Sequence, residues 1–169
     1  MRSRHGGAIS LHVPRVMGIL NVTPDSFSDG GRYANLESAL AHAERLIEEG
    51  ADIIDVGGES TRPGAQGVSA EEEVGRVIPI IRAITRRWPD LPVSIDTVKA
   101  AVARAAIDAG ATIINDVSAL RLDSEMAAAA ASARAGVVLM HSRGSVDQMA
   151  RYDTALYGSD PVGEIAAEV

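Results

Sequence analysis

Gly50-Ala51-Asp52-Ile53-Ile54-Asp55-Val56 and, further along, Gly110-Ala111-Thr112-Ile113-Ile114-Asn115-Asp116-Val117 are two versions of one pattern. In each, a glycine suited to ending a helix in a left-handed conformation is followed at once by an aliphatic run. Gly136 before Val137 gives a third instance. Five β-branched or aliphatic runs, at residues 16–20, 53–56, 93–95, 112–114 and 137–140, are too short for helices and are bounded by turn residues or charges. Each predicts a buried parallel strand. Between them the period changes to 3.6. Leu36, Ala39, Leu40, Ala43, Leu46 and Ile47 make one apolar stripe, and Val74, Val77, Ile78, Ile81 and Ile84 make a second. Ser69 and Glu72 form a capping-box pair at the start of the second helix. Thr97 is placed to cap a third helix ending at Gly110, and Asp123 a fourth running through the alanines at 127–131. Asp160-Pro161 opens a fifth, because proline at the first helical position loses no hydrogen bond. The order βαβαβαβαβα predicts an α/β domain with a parallel sheet.

Composition narrows the function classes. The 169 residues carry 16 Lys and Arg against 23 Asp and Glu, a net charge of −7, so the basic stripe of a nucleic-acid binder is missing. No apolar run approaches the roughly 20 residues of a membrane span. The basic start Met1-Arg2-Ser3-Arg4-His5 lacks the apolar stretch of a signal peptide. The absence of cysteine excludes disulfides, thiolate nucleophiles and Cys-ligated zinc. The expectation is a soluble cytoplasmic protein with neither nucleic acid nor membrane as partner.

The polar residues stand where the strands stop: Asn21, Asp55, Asp96, Asn115-Asp116 and His141. In a parallel α/β fold these ends converge on one face, where ligands bind. A ring of Asn, Asp, Asp, Asn and His offers several acceptors, a few amide donors and no nucleophilic serine or cysteine. It suits a flat ligand rich in ring N–H and amino donors, together with one oxygen-ligated metal ion. The competing reading is that each of these residues caps the helix that follows. Two loops exceed the 2–6 residues or so that a βα turn needs. Residues 21–31 carry Phe27 among turn-forming residues, and residues 57–67 carry four glycines and Arg62. Both read as lids over a site, with Arg62 suited to a carboxylate or phosphate. Gly57-Gly58 is no dinucleotide fingerprint. His141 has no second histidine at ligand spacing. Lys99, the only lysine, reads as solvated.

Two long segments carry a family resemblance. Met17-Gly18-Ile19-Leu20-Asn21-Val22-Thr23-Pro24-Asp25-Ser26-Phe27-Ser28-Asp29-Gly30-Gly31 resembles the first signature of the dihydropteroate synthase family. The stretch from Gly50 through Asp55, Gly57-Gly58-Glu59-Ser60-Thr61-Arg62-Pro63 to Gly64 resembles the second. Val93-Ser94-Ile95-Asp96-Thr97, Ile114-Asn115-Asp116-Val117 and Met140-His141 follow in the family's order. The resemblance implies a (β/α)8 TIM barrel. It also implies condensation of 6-hydroxymethyl-7,8-dihydropterin pyrophosphate with 4-aminobenzoate, giving 7,8-dihydropteroate and pyrophosphate with Mg²⁺. By the same resemblance, Asn21 contacts the metal and the pyrophosphate, Asp96 and Asn115 hydrogen-bond the pterin ring, Met140 packs near it, and Asp55 is an acid of the same pocket. Phe27 and Asp29 from the first loop, with Thr61, Arg62 and Pro63 from the second, build the aminobenzoate site where sulfonamides compete. A homodimer is implied for the parent protein.

Eight βα units need about 250 residues, whereas residue 169 falls in the fifth helix. The expectation is therefore the N-terminal part, about five βα units, of a single pterin-binding barrel domain, inactive by itself. Two alternatives stand beside it. One is a non-catalytic pterin binder, either a paralogue or a domain of a pterin-dependent methyltransferase. The other is a complete flavodoxin-like domain of five βα units. Strand one in the middle of the sheet would mark the flavodoxin-like fold, and the sequential order 1-2-3-4-5 excludes it.

Overall fold

Aliphatic runs and amphipathic stripes alternate in the computed structural model as their periods predict. The structure describes residues 9–10, 12–22, 31–59, 67–143 and 156–169. The elements are β1 (Met17–Asn21), α1 (Gly31–Glu48), β2 (Ile53–Gly57), α2 (Ala70–Arg87), β3 (Val93–Asp96), α3 (Ala100–Asp108), β4 (Ile113–Asp116), α4 (Met126–Ala133), β5 (Gly136–Leu139) and α5 (Pro161–Glu168). The strands form one parallel sheet in the order β1-β2-β3-β4-β5. That sequential order excludes the flavodoxin-like alternative and is the order of the first five strands of a (β/α)8 barrel.

The register sorts the strand residues onto two faces. Leu20, Val56, Ile95, Ile114 and Val137 lie level across the sheet, with Ile54 and Val93 two residues below. These belong to one core with Ala39 and Ala43 of α1, Val77, Ile81 and Ile84 of α2, Val102 and Ala106 of α3, and Met126 and Ala129 of α4. Right-handed crossovers between adjacent parallel strands place successive helices on the same side. Accordingly α1 packs on α2, α2 on α3 and α3 on α4. Side chains alternate along a strand, so the intervening rows face away from the helices. These are Ile19, Asp55, Ser94, Ile113 and Gly136, then Asn21, Gly57, Asp96, Asn115 and Val138. Ile19 on this face, at the β1 edge, is 61% exposed.

Several local expectations change in detail. β1, β2, β3 and β4 run one or two residues past the apolar runs, so Asn21, Asp96, Asn115 and Asp116 are themselves ladder residues. Gly50 and Gly110 take the positive φ expected of helix-ending glycines, at 105° and 111°. Gly136 does not: Arg134 takes the left-handed position at φ 53°, and Gly136 is already in β5. Ser69 Oγ accepts the Glu72 N–H as a cap should, but the Glu72 carboxylate pairs with Arg76 one turn on. Thr97 accepts the N–H of Lys99 rather than capping α3. Asp123 covers that helix instead, with Oδ2 accepting Ala100 N–H at 2.8 Å and Oδ1 accepting Glu125 N–H ahead of α4. One carboxylate thus serves two helix starts. Asp160 caps α5 through the Gly163 N–H, as expected.

Gly58, just past β2, permits the close seat of α2 on the sheet. A Cβ there would stand 2.7 Å from Val77 Cγ1 and 3.0 Å from Glu73 Cγ, both on a helix packed into the core. Gly58→Ala should therefore destabilise the protein by about 1–3 kcal/mol, the usual cost of overpacking. Urea denaturation reads this as a lower midpoint with unchanged slope.

Candidate functional site

The upper row of the helix-free face holds the candidate site. Asn21, Gly57, Asp96 and Asn115 are level on four adjacent strands. Gly57 keeps the row open, because a Cβ at that position would lie 3.3 Å from Asn21 Oδ1 and 3.5 Å from Asp96 Oδ2. One row below, Asp55 sits level with Ser94 and is only 4% exposed. Asn115 Nδ2 donates to Asp55 Oδ2 at 2.9 Å, which ties the two rows together. Asp55 Oδ1 and Ser94 Oγ are buried with no hydrogen-bond partner among the described residues. Burial raises the Asp55 pKa, and the neighbouring Ser94 hydroxyl and the Asn115 amide only partly offset it.

Asp96 is more strongly perturbed. Burial is the main cause, and the like charges of Asp55, Glu73, Asp116 and Glu59 add to it, pushing the carboxyl up to about 7. A carboxylate placed there has no donor among the described residues, so a ligand that brings N–H groups would relieve it.

Asn115 and Asp116 part company through strand alternation. Asn115 faces the site, whereas Asp116 is fully buried and accepts from Ser118 N, Ser118 Oγ and Leu120 N. It holds the β4–α4 turn in which Ala119 and Leu120 take φ of 52° and 63°. Its role is structural, but in that turn and not as the cap of α4, whose N-cap position is Glu125.

Lys99 is not solvated. Its ammonium donates to Glu59 Oε2 at 2.5 Å and to Glu73 Oε2 at 2.6 Å, and Glu73 is fully buried. Burial pulls the Lys99 pKa down, but the hydrogen bonds to the two glutamates outweigh it and hold the pKa above the ordinary value. Glu59 Oε1 also accepts Val68 N–H, so the residues flanking 60–66 are tied to α2 and α3. Sequence reasoning missed this triad. The available signal was Glu73, a carboxylate four residues before Val77 on the apolar stripe of α2.

Met140 follows β5 and is 40% exposed. His141 is engaged by Glu168 at 2.7 Å and by the Tyr157 hydroxyl at 3.3 Å, which supports an orienting role over a metal-binding one. Phe27, Asp29, Thr61, Arg62 and Pro63 lie outside the described residues.

A metal fits this donor set only in one manner. No group of three His, Asp or Glu able to hold an ion occurs among the described residues. Asn21 Oδ1, at the open edge of Gly57, is a single hard oxygen donor. Mg²⁺ commonly binds through one or two protein oxygens, with waters and substrate phosphates completing the shell. The residues present fit an ion shared with a phosphorylated ligand.

Comparisons with known proteins agree with this geometry. A family model described as pterin binding enzyme matches residues 17–169. A dihydropteroate synthase of Bacillus subtilis is 58% identical over 128 residues, which is 76% of this chain and 45% of that protein. A Xanthomonas albilineans dihydropteroate synthase solved with 4-aminobenzoic acid superposes with a TM-score of 0.74 at 55% identity, covering 81% of this chain and 50% of that one. The Yersinia pestis enzyme solved with a sulfonamide drug superposes at 0.77 with 43% identity, covering 95% and 60%. The chain spans about half the length of the curated relatives it matches.

The electrostatics of Asp96 can be measured. A ¹³C-carboxyl NMR titration should give Asp96 a midpoint near 7, and Asp55→Asn should lower it by removing a like charge. The folded state then keeps this proton after the unfolded chain has lost it at about pH 4. The Asp96 contribution to stability is present below pH 4, declines as pH rises towards 7, and is constant above. Denaturation of the wild type and of Asp96→Asn across this range should show a steeper decline in the wild type, the variant keeping only the smaller slope of other raised carboxyls such as Asp55.

Proposed function

The chain belongs to the pterin binding enzyme family, and from that membership we propose dihydropteroate synthesis as its function. The protein joins 6-hydroxymethyl-7,8-dihydropterin pyrophosphate to 4-aminobenzoate, giving 7,8-dihydropteroate and pyrophosphate. The observation that carries the proposal is the level row of Asn21, Asp96 and Asn115 on the helix-free face. It offers acceptors to a donor-rich bicyclic ring and holds no nucleophile.

The chemistry asks for no covalent intermediate with the protein. The bond from the pterin methylene carbon to the diphosphate oxygen breaks with its electron pair leaving on pyrophosphate, and the electron-rich ring stabilises the resulting cation. The arylamine nitrogen then forms the new C–N bond and gives up a proton to solvent. Asp96 and Asn115 hydrogen-bond the ring and hold it in place, and an ionised Asp96 stabilises positive charge on it. Met140 packs near the ring. Asn21 is the residue that would hold Mg²⁺ beside the leaving group. When bound, that ion neutralises the diphosphate oxygens. Phe27, Asp29, Thr61, Arg62 and Pro63 are assigned to the aminobenzoate side, where sulfonamides compete and where closure keeps water from the cation.

Lys99, spent on two glutamates, is not available to the diphosphate. The five strands therefore supply mainly the ring-binding side, as the N-terminal part of one barrel domain whose whole protein forms a homodimer in the cytoplasm. Among the described residues no helix is long and apolar enough to cross a membrane.

A pyrophosphate-release assay with both substrates tests the proposal on the whole protein. Turnover should require both substrates and Mg²⁺, and the 169 residues alone should give none. Asp96→Ala should lower kcat/KM by about 100-fold or more, the scale of losing one charge-stabilising group. Asn21→Ala should raise the Mg²⁺ concentration needed for half-maximal rate. Failure to form 7,8-dihydropteroate when both substrates are present, or an Asp96→Ala variant with wild-type kcat/KM, would overturn the assignment.

A further inference from the structure

Asp55 lies too deep to be a simple ligand contact. It is 4% exposed, one row below Asp96 and Asn115, and its visible engagement is with a neighbouring side chain rather than with the open site. We infer that Asp55 is a positioning residue that sets the specificity of the site by fixing which end of the Asn115 amide a ligand meets.

A carboxylate can only accept, so the group that Asn115 turns towards Asp55 Oδ2, at 2.9 Å, must be its nitrogen. The amide oxygen is then the atom left for the site, with no hydrogen-bond partner among the described residues. Asn115 is level with Asp96 on the next strand, and the Asp96 carboxylate is likewise without a donor among the described residues. The two strand ends therefore present neighbouring acceptors. Were the amide turned the other way, Asn115 would offer a donor next to an acceptor, and nitrogen alone among its ends can satisfy Asp55. An asparagine on its own is ambivalent, and the buried acid removes the ambivalence. The edge selected is that of a fused heterocycle whose adjacent groups are N–H or amino donors. A ring with a carbonyl in place of the amino group faces acceptor with acceptor.

The inference rests on the pterin reading above and adds to it a determinant of ring specificity. Binding is compared for two probes, 2-amino-4-oxopteridine and its 2,4-dioxo counterpart, which carries oxygen in place of the amino group. Calorimetry on the full protein reads the ratio of the two affinities. The wild type should favour the amino ring by about 10- to 100-fold, the scale of one unsatisfied hydrogen-bonding group. Asp55→Ala lets the Asn115 amide turn, and the ratio should fall to within about threefold. The exchange Asp55→Asn with Asn115→Asp restores a donor below and a carboxylate that can only accept above, so the ratio should return. An Asp55→Ala protein that unfolds cooperatively and keeps the wild-type ratio overturns the inference. Should that variant not fold, the exchange variant decides alone: a retained ratio supports the inference, and a lost one overturns it. Equal binding of both rings by the wild type would instead sink the pterin reading, and the inference with it.

Discussion

The register of the parallel ladder is the constraint on which the rest depends. Because Asn21, Gly57, Asp96 and Asn115 are level on four strands, polar groups distant in sequence share one row. Because every junction from strand to strand crosses over the same side, the row above Ile54 and Val93 is covered by helices and the polar row is not. A slip of one residue in any strand would exchange the two faces. In β2 or β3 it would drive a carboxylate into the aliphatic core and turn an isoleucine to the open face. The aliphatic residues Leu20, Val56, Ile95 and Ile114 thus position the chemistry as much as they stabilise the fold, since their burial makes the register unique.

Acid is concentrated behind that row, and the structure handles each carboxylate differently. Asp116 is buried but accepts three hydrogen bonds from its own turn. Glu59 and Glu73 share the single lysine of the chain. Asp55 has one strong donor, in Asn115. Asp96 has none among the described residues, and it is the group whose carboxyl rises to about 7. The gradient follows from supply: donors within the fold are spent on the groups that shape it, and the group facing the open side is left to find donors elsewhere. Removing Lys99 would leave the buried Glu73 and the half-buried Glu59 uncompensated and strengthen the field that opposes ionisation of Asp96, so a residue outside the row bears on its charge.

Much of this arrangement was legible in the sequence. The parallel strands, the amphipathic helices and the placement of Asn21, Asp96 and Asn115 at strand ends follow from periods and turn residues. What escaped depends on relations between distant residues. Asp55 reads as one more strand-end acid until the pairing shows β2 running on through Gly57, which sets Asp55 one row deeper. Lys99 reads as solvated because its partners lie 40 and 26 residues away and no local pattern announces them. Asp123 reads as the cap of α4 alone, yet its other oxygen reaches back to α3, a contact made only when the two helices are side by side. Gly136 looked like Gly50 and Gly110, but α4 ends early enough for Arg134 to take the left-handed position.

The same distinction explains why the family signatures carry more than their local chemistry. Gly57 and Gly58 stand together in the second one, and each has its own reason. Gly57 leaves space between Asn21 and Asp96 on the open face, whereas Gly58 admits Val77 and Glu73 on the helix face. Glu59, next in line, turns back to Lys99. Three consecutive residues therefore serve the pocket, the helix packing and the charge balance behind it. A methyl group added at Gly57 would narrow the pocket with little effect on the core, while the same change at Gly58 would move α2 and with it the buried Glu73. Since Glu73 is one of the charges acting on Asp96, a change made for packing on one face of the sheet is felt as chemistry on the other.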